Sequence, residues 1–246
     1  MLENLNFALV LKQLLVSAPG ILFGLTIHEF AHGWAADKMG DPTARLAGRL
    51  TLNPLAHLDP IGTLLLFIAH FGWAKPVPIN PLRFKEPRKG IIIVSSAGAL
   101  ANIICALVFG LVIRVAFPVA QWYAQAFSTD WIMPSLLVRI LFMMSVYAMF
   151  FNLILAIFNL IPIPPLDGSH ILFGLLRPKT AQKLVWLERY GPMILIGLII
   201  IGSFTGFSIF GYIILPPVSW GSYLFSGHQI GLLFAFVNLF LGGGGF

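Results

Sequence analysis

Between Phe7 and Ala36 most positions are apolar, but Lys12 and Gln13 interrupt the start, and Pro19-Gly20 lies where a helix can kink or divide. The pattern predicts a helix from about Ala18 to Lys38, preceded by a helix or an interfacial stretch. Polar and proline-rich sequence follows from Met39 to Gly90, broken by one apolar run, Ile61 to Phe71, which is too short to span a bilayer as a helix. A re-entrant hairpin is the better expectation there, since irregular backbone is tolerated at membrane depth where protein or water covers it. Ile91 to Phe117 and Ser135 to Ile161 are long enough to span, and so is Gly191 to Leu215. A short helix is expected after Pro162 to Asp167, ending near Leu176. The final run, Ile230 to Leu241, is too short to assign as a span, and the glycine tail beyond it reads as frayed.

Composition reinforces this pattern. Of 246 residues, 58% are hydrophobic and only 10% are charged, and the mean hydropathy is +0.90, far from the averages of soluble domains. The fold class expected is an α-helical multi-pass membrane protein with four to six transmembrane helices and a small re-entrant β element. One membrane-embedded domain is expected over 1–246. Its catalytic core would cover about 18–177 and include a cytoplasmic or re-entrant segment at 39–90, with C-terminal helices at 190–241. The net charge of +6 does not point to nucleic acid, because the basic residues are interleaved with apolar segments. They read as a topology signal: the stretches Lys38 to Lys89 and Arg177 to Arg189 belong on the cytoplasmic side. Cys105, the single cysteine, excludes an intrachain disulfide framework. Met1 to Asn6 lacks the basic start of a cleavable signal, so the N-terminus is expected to be retained.

The chemistry sits in the first span, where Thr26-Ile27-His28-Glu29-Phe30-Ala31-His32 carries an H-E-x-x-H arrangement. Residues four apart on a helix lie one above the other, so both imidazoles can close on one metal ion. Glu29 is then placed to take a proton from a water at that metal, and zinc would polarise a scissile carbonyl. Depth adds independent support. A charge within a membrane segment costs at least about 2.5 kcal/mol on insertion scales, and only Glu29 and Asp167 of the nine acidic residues lie in or at the mouth of apolar segments. The bland alternative is a hydrogen-bonded packing cluster at a helix end.

Two histidines and a water leave a tetrahedral zinc one ligand short. The candidates are Asp167, and Asp59 or His57 in Asn53-Pro54-Leu55-Ala56-His57-Leu58-Asp59-Pro60. Burial favours Asp167, since a lone carboxylate opening an apolar helix is costly, although aspartate also serves there as a plain N-cap.

These elements, together with Gly98-Ala99-Leu100-Ala101-Asn102 and Asn159 through Leu166-Asp167-Gly168, resemble the site-2 protease family of intramembrane zinc metalloproteases, specifically its compact members without PDZ or CBS domains. The resemblance runs from His28 to Gly168. It implies one Zn2+ per chain, held by His28, His32 and Asp167, with Glu29 as catalytic base. It further implies roles for Asn102 and Asn159 in holding the substrate strand or the reaction intermediate. It also implies a re-entrant β element near Ile61 to Pro78, whose edge could capture an unwound peptide. The expected substrate is a membrane protein with a transmembrane segment, cut in a prokaryotic plasma membrane with the active site toward the cytoplasm. For the two asparagines the alternative is interhelical hydrogen bonding.

Two other classes compete. A transporter or channel would also bury polar residues, but it predicts repeated half-chains, which this sequence lacks. A catalytically inactive metal-binding scaffold would not need Glu29 beside its ligands. His70, His170 and His228 lack ligand spacing and are expected to be packed or interfacial, and no role is assigned to His57. Trp122, Trp131 and Trp220 are expected as interfacial anchors.

Overall fold

The computed structural model describes residues 7–62, 74–126, 133–205 and 209–241. Its helices are α1 (Phe7–Met39), α2 (Thr43–Leu46), α3 (Pro87–Ala126), α4 (Met133–Asn159), α5 (Asp167–Leu175), α6 (Pro178–Lys183), α7 (Val185–Thr205), α8 (Ile209–Ser226) and α9 (Ile230–Leu241). Among the described residues, four stretches are long and apolar enough to cross a membrane: Leu14–Met39, Pro87–Val119, Leu137–Asn159 and Val185–Gly202. Intrahelical bonding satisfies their backbones, which hydrocarbon requires. α1 continues through Pro19 rather than dividing there; a proline removes one hydrogen bond, and a helix of 33 residues retains the rest. The span expected from Gly191 to Leu215 begins earlier, because α7 starts at Val185 and carries the membrane-long stretch, while α8 holds the end of the expected range.

The chain forms two compact units. One comprises Met1–Gly24, Ile103–Leu153 and Pro216–Phe246, and the other Leu25–Asn102 and Ile154–Leu215. Aromatic packing dominates the first. Phe117 stacks on His228 with ring centres 3.9 Å apart, and Phe234 meets both Tyr147 and Phe150 edge-on. Arg114 caps the end of α8 by donating to the Leu224 carbonyl (2.8 Å), where a cation is favoured.

The second unit carries the candidate chemistry. Ala35, Ala36, Phe84 and Val94 form a buried core, with Met39, Ile79, Ile91 and Ala97 packed against it. This core binds the second half of α1 to the first half of α3 and to the segment leading into α3. α1 stops where Gly40 takes φ +108°, and the Asp41 N–H reaches back to the Ala36 carbonyl (2.9 Å), the hydrogen-bond pattern of a glycine-terminated helix. Two Asn-Pro pairs then make matching turns: the Asn53 and Asn80 side chains accept from Leu55 N–H and Leu82 N–H, each at 3.1 Å, with proline opening each 3-10 turn.

The expected re-entrant β element falls largely on 63–73, outside the described residues. Its described flanks hold an isolated antiparallel bridge between Leu58 and Ala74 and a Lys75 N–H bond to the His57 carbonyl (2.9 Å). No strand occurs among the described residues.

Candidate metal centre

His28 and His32 lie one turn apart on α1, both buried, with ring centres 4.5 Å apart. Each ring is held from behind. His32 Nδ1–H donates to the Val94 carbonyl (2.7 Å), and His28 Nδ1–H donates to Asn102 Oδ1 (2.7 Å). These carbonyl partners place the ring protons on Nδ1 and leave both Nε2 atoms as lone-pair donors.

α5 brings the third group. Asp167 Oδ2 lies 3.2 Å from His28 Nε2 and 3.1 Å from His32 Nε2, and the two Nε2 atoms are 3.0 Å apart. Asp167 Oδ2 is buried without a hydrogen-bond partner. Two imidazole lone pairs and a carboxylate oxygen facing one another would repel, and a divalent cation among them removes the conflict. The spacing fits zinc: ligand bonds of about 2.0–2.1 Å in a tetrahedron put neighbouring ligand atoms about 3.3 Å apart. His28, His32 and Asp167 are the one group of at least three potential ligands found among the described residues.

Neither alternative third ligand joins them. Asp59 accepts from Ile61 N–H (3.0 Å) and Gly62 N–H (2.8 Å), so it caps a turn. His57 is buried and donates from Nε2 to the Thr51 carbonyl (2.8 Å), fastening the loop whose carbonyl receives Lys75.

The cluster opens on a cavity of about 720 Å³ whose lining includes Leu25, Glu29, Val77, Leu155, Asn159 and Asp167. Glu29 Oε2 accepts from the Val77 N–H (2.9 Å), a link that fixes the carboxylate against the chain running from Ala74 to Asn80. Asn159 Nδ2 donates to the Leu155 carbonyl on its own helix (2.9 Å) while lining the cavity. Asn102 lies behind His28 rather than in the cavity wall, an orienting position.

The sequence profile of peptidase family M50 matches residues 17–201. This chain belongs to peptidase family M50. Among its relatives is the protein named "Putative zinc metalloprotease YwhC" from Bacillus subtilis, 39% identical over 189 residues that cover 75% of this chain and 81% of that protein. The protein named "Putative zinc metalloprotease Rip2" from Mycolicibacterium smegmatis is 31% identical over 190 residues, covering 74% of this chain and 65% of that protein. Rip2 of Mycobacterium tuberculosis strain H37Rv is 29% identical over 196 residues, 76% of this chain and 67% of the relative. No solved structure matches the chain significantly. Membership in M50, a ligand set suited to zinc and four membrane-long helices make this an integral-membrane zinc metallopeptidase.

Three supports of this M50 centre were not visible as chemistry in the sequence. Gly98 is one: a Cβ there would lie 2.5 Å from His32 Nε2 and 2.6 Å from His28 Cε1, so α3 can pass the imidazoles only without a side chain. Asp41 is another. Fully buried, it accepts from Asn80 N–H (2.6 Å), Thr43 N–H (3.1 Å) and the Thr43 hydroxyl, tying the end of α1 to the segment that carries Val77. Burial opposes its ionisation, but these donors and the Arg83 charge outweigh burial and hold its carboxyl below the ordinary range. The third is Arg88, which donates to the carbonyls of Gly174 (2.6 Å), Leu175 (3.0 Å) and Leu176 (2.8 Å), securing the helix that begins at Asp167. Of the three, only Gly98 stands out in the sequence, as part of the Gly98 to Asn102 motif and without a role.

Gly98→Ala should purify folded yet carry well under half the zinc of the parent by elemental analysis, because its methyl displaces the rings. A carboxyl depressed by folding contributes stability above its unfolded pKa of about 4 and loses it as pH falls through the lower folded value. Thermal unfolding in detergent between about pH 5 and pH 2 should therefore fall more steeply for the parent than for Asp41→Asn.

Proposed function

We propose that this chain hydrolyses peptide bonds in or near the transmembrane segments of other membrane proteins, with His28, His32 and Asp167 as zinc ligands and Glu29 as general base. The observation that carries this reading is the triangle of His28 Nε2, His32 Nε2 and Asp167 Oδ2 with sides of 3.0–3.2 Å, opening on the cavity that Glu29 lines. Zinc, when bound, acidifies a water and polarises the scissile carbonyl. The rest is done by the chain. Glu29 takes the proton of the attacking water and passes it to the leaving amine, as a carboxylate beside its target does in general acid–base catalysis. The Val77 N–H occupies Oε2, so Oε1 would be the oxygen that takes the proton, and Asn159 would offer the substrate a polar contact from the cavity wall.

A substrate helix hides its amides in its own hydrogen bonds, so the cut requires an unwound stretch. The run from Ala74 to Asn80, in which Pro76 and Pro78 have no N–H, would include the closing end of a re-entrant element spanning Ile61 to Pro78 that receives the unwound strand by edge pairing. The basic stretches Lys38 to Lys89 and Arg177 to Arg189 would set the site toward the cytoplasm of a plasma membrane. On this reading 1–246 form one peptidase domain with its core at about 18–177.

Glu29→Gln should retain zinc at the parent stoichiometry and lose cleavage of a single-span substrate in liposomes by at least about 100-fold. Undiminished cleavage by the zinc-loaded variant would reject the assigned base.

A further inference from the structure

A smaller hollow of about 400 Å³ adjoins the catalytic cavity, and Ile91 and His170 line both. Its remaining walls are largely apolar, with Phe173, Leu176, Pro178 and Ala181 among them. The walls are fixed in place. Arg88, itself part of the wall, donates to the carbonyls at the end of α5, and Glu188 is the other charged residue lining the hollow. Gly174 is seated so closely that a Cβ would lie 2.6 Å from Ile92 Cγ1. His170 is on α5 three residues after Asp167, about 4.5 Å along the axis. It is exposed, and no hydrogen bond or ion pair ties its side chain to another described residue.

We propose that this hollow is a specificity subsite for the substrate polypeptide: it takes an apolar side chain a few residues from the scissile bond, and the His170 imidazole hydrogen-bonds the substrate backbone as it passes between the chambers. The proposal rests on the catalytic reading above and adds a selectivity to it. Continuity identifies the occupant. An extended peptide advances about 3.3 Å per residue, so two or three residues carry a chain held at Asp167 past His170. A lipid acyl chain fits less well, because the walls come from helix ends, at Pro87, Leu176 and Pro178, rather than from the middles of spans.

The test uses the full chain in lipid nanodiscs with a synthetic single-span peptide. In Glu29→Gln protein, a photo-crosslinking amino acid replaces either Ala181, in the hollow, or Leu155, in the catalytic cavity. Adducts with the peptide from both positions are expected. In otherwise unaltered protein, Ala181→Trp fills the hollow. It should lower kcat/KM about tenfold for a peptide with leucine at the position mapped from the Ala181 adduct, and less than about twofold for the alanine version. His170→Ala should raise KM roughly fivefold at unchanged kcat, the loss of one neutral hydrogen bond, with His170→Gln restoring it. Peptide adducts from Leu155 but none, or only lipid adducts, from Ala181 would overturn the subsite and leave the catalytic reading standing. Equal losses on both peptides with Ala181→Trp would overturn it too. Absence of peptide adducts at both positions would remove the catalytic cavity's assignment and the subsite with it.

Discussion

Two imidazole nitrogens and a carboxylate oxygen meet within about 3 Å of one another. That arrangement is the constraint around which the second unit is organised. Two neutral imidazoles could share a proton, and a carboxylate could accept one. With both rings neutral and their Nδ1 protons given to carbonyl oxygens, the converging face consists of lone pairs. In an apolar setting such a cluster is unfavourable unless a cation occupies it. The carboxylate and the cation then compensate one another, as buried charge within a membrane protein requires.

Holding the cluster open for a cation takes a scaffold that cannot relax around it. α3 supplies much of it along two turns: the Val94 carbonyl on His32, the bare Gly98 against both rings, and Asn102 behind His28. Outer contacts of this kind fix ring orientation and ligand basicity, and their loss typically weakens metal binding about 10- to 100-fold. Asp167 is constrained separately, by Arg88 at the far end of its helix and by Gly168, whose missing Cβ lets α5 start against the Leu160 carbonyl. Glu29 is outside the ligand triangle and is steadied instead by the Val77 amide, whose segment is anchored in turn by Asp41. The Glu29 carboxylate and the His-His-Asp cluster thus share α1 but are held at their polar atoms by different contacts.

The local part of this design was legible in the sequence. A spacing of four on a helix places two side chains on one face whatever the rest of the fold does, so His28 and His32 could be paired directly. The third ligand could not be settled that way. Asp167 and Asp59 are both distant in sequence from His32, and only tertiary structure separates a carboxylate facing the imidazoles from one capping a turn. Asn102 stood out in the sequence as a candidate for holding substrate or intermediate, with interhelical hydrogen bonding as the alternative; its contact with His28 was not legible, because side-chain direction along a buried helix depends on its neighbours. Gly98, Asp41 and Arg88 act through close approach and backbone hydrogen bonds, which leave no periodic trace. The continuity of α1 through Pro19 was hidden for a related reason: a proline marks where a helix can break, and whether it does depends on the packing on either side.

X-ray absorption spectroscopy at the zinc edge of the detergent-purified full chain reads the His-His-Asp triangle itself. About one zinc per chain is expected, in a four-coordinate shell of nitrogen and oxygen at about 2.0–2.1 Å, with outer-shell scattering from two imidazole rings. Folded protein that binds no zinc, or zinc whose spectrum contains sulfur or lacks the imidazole signature, would contradict it.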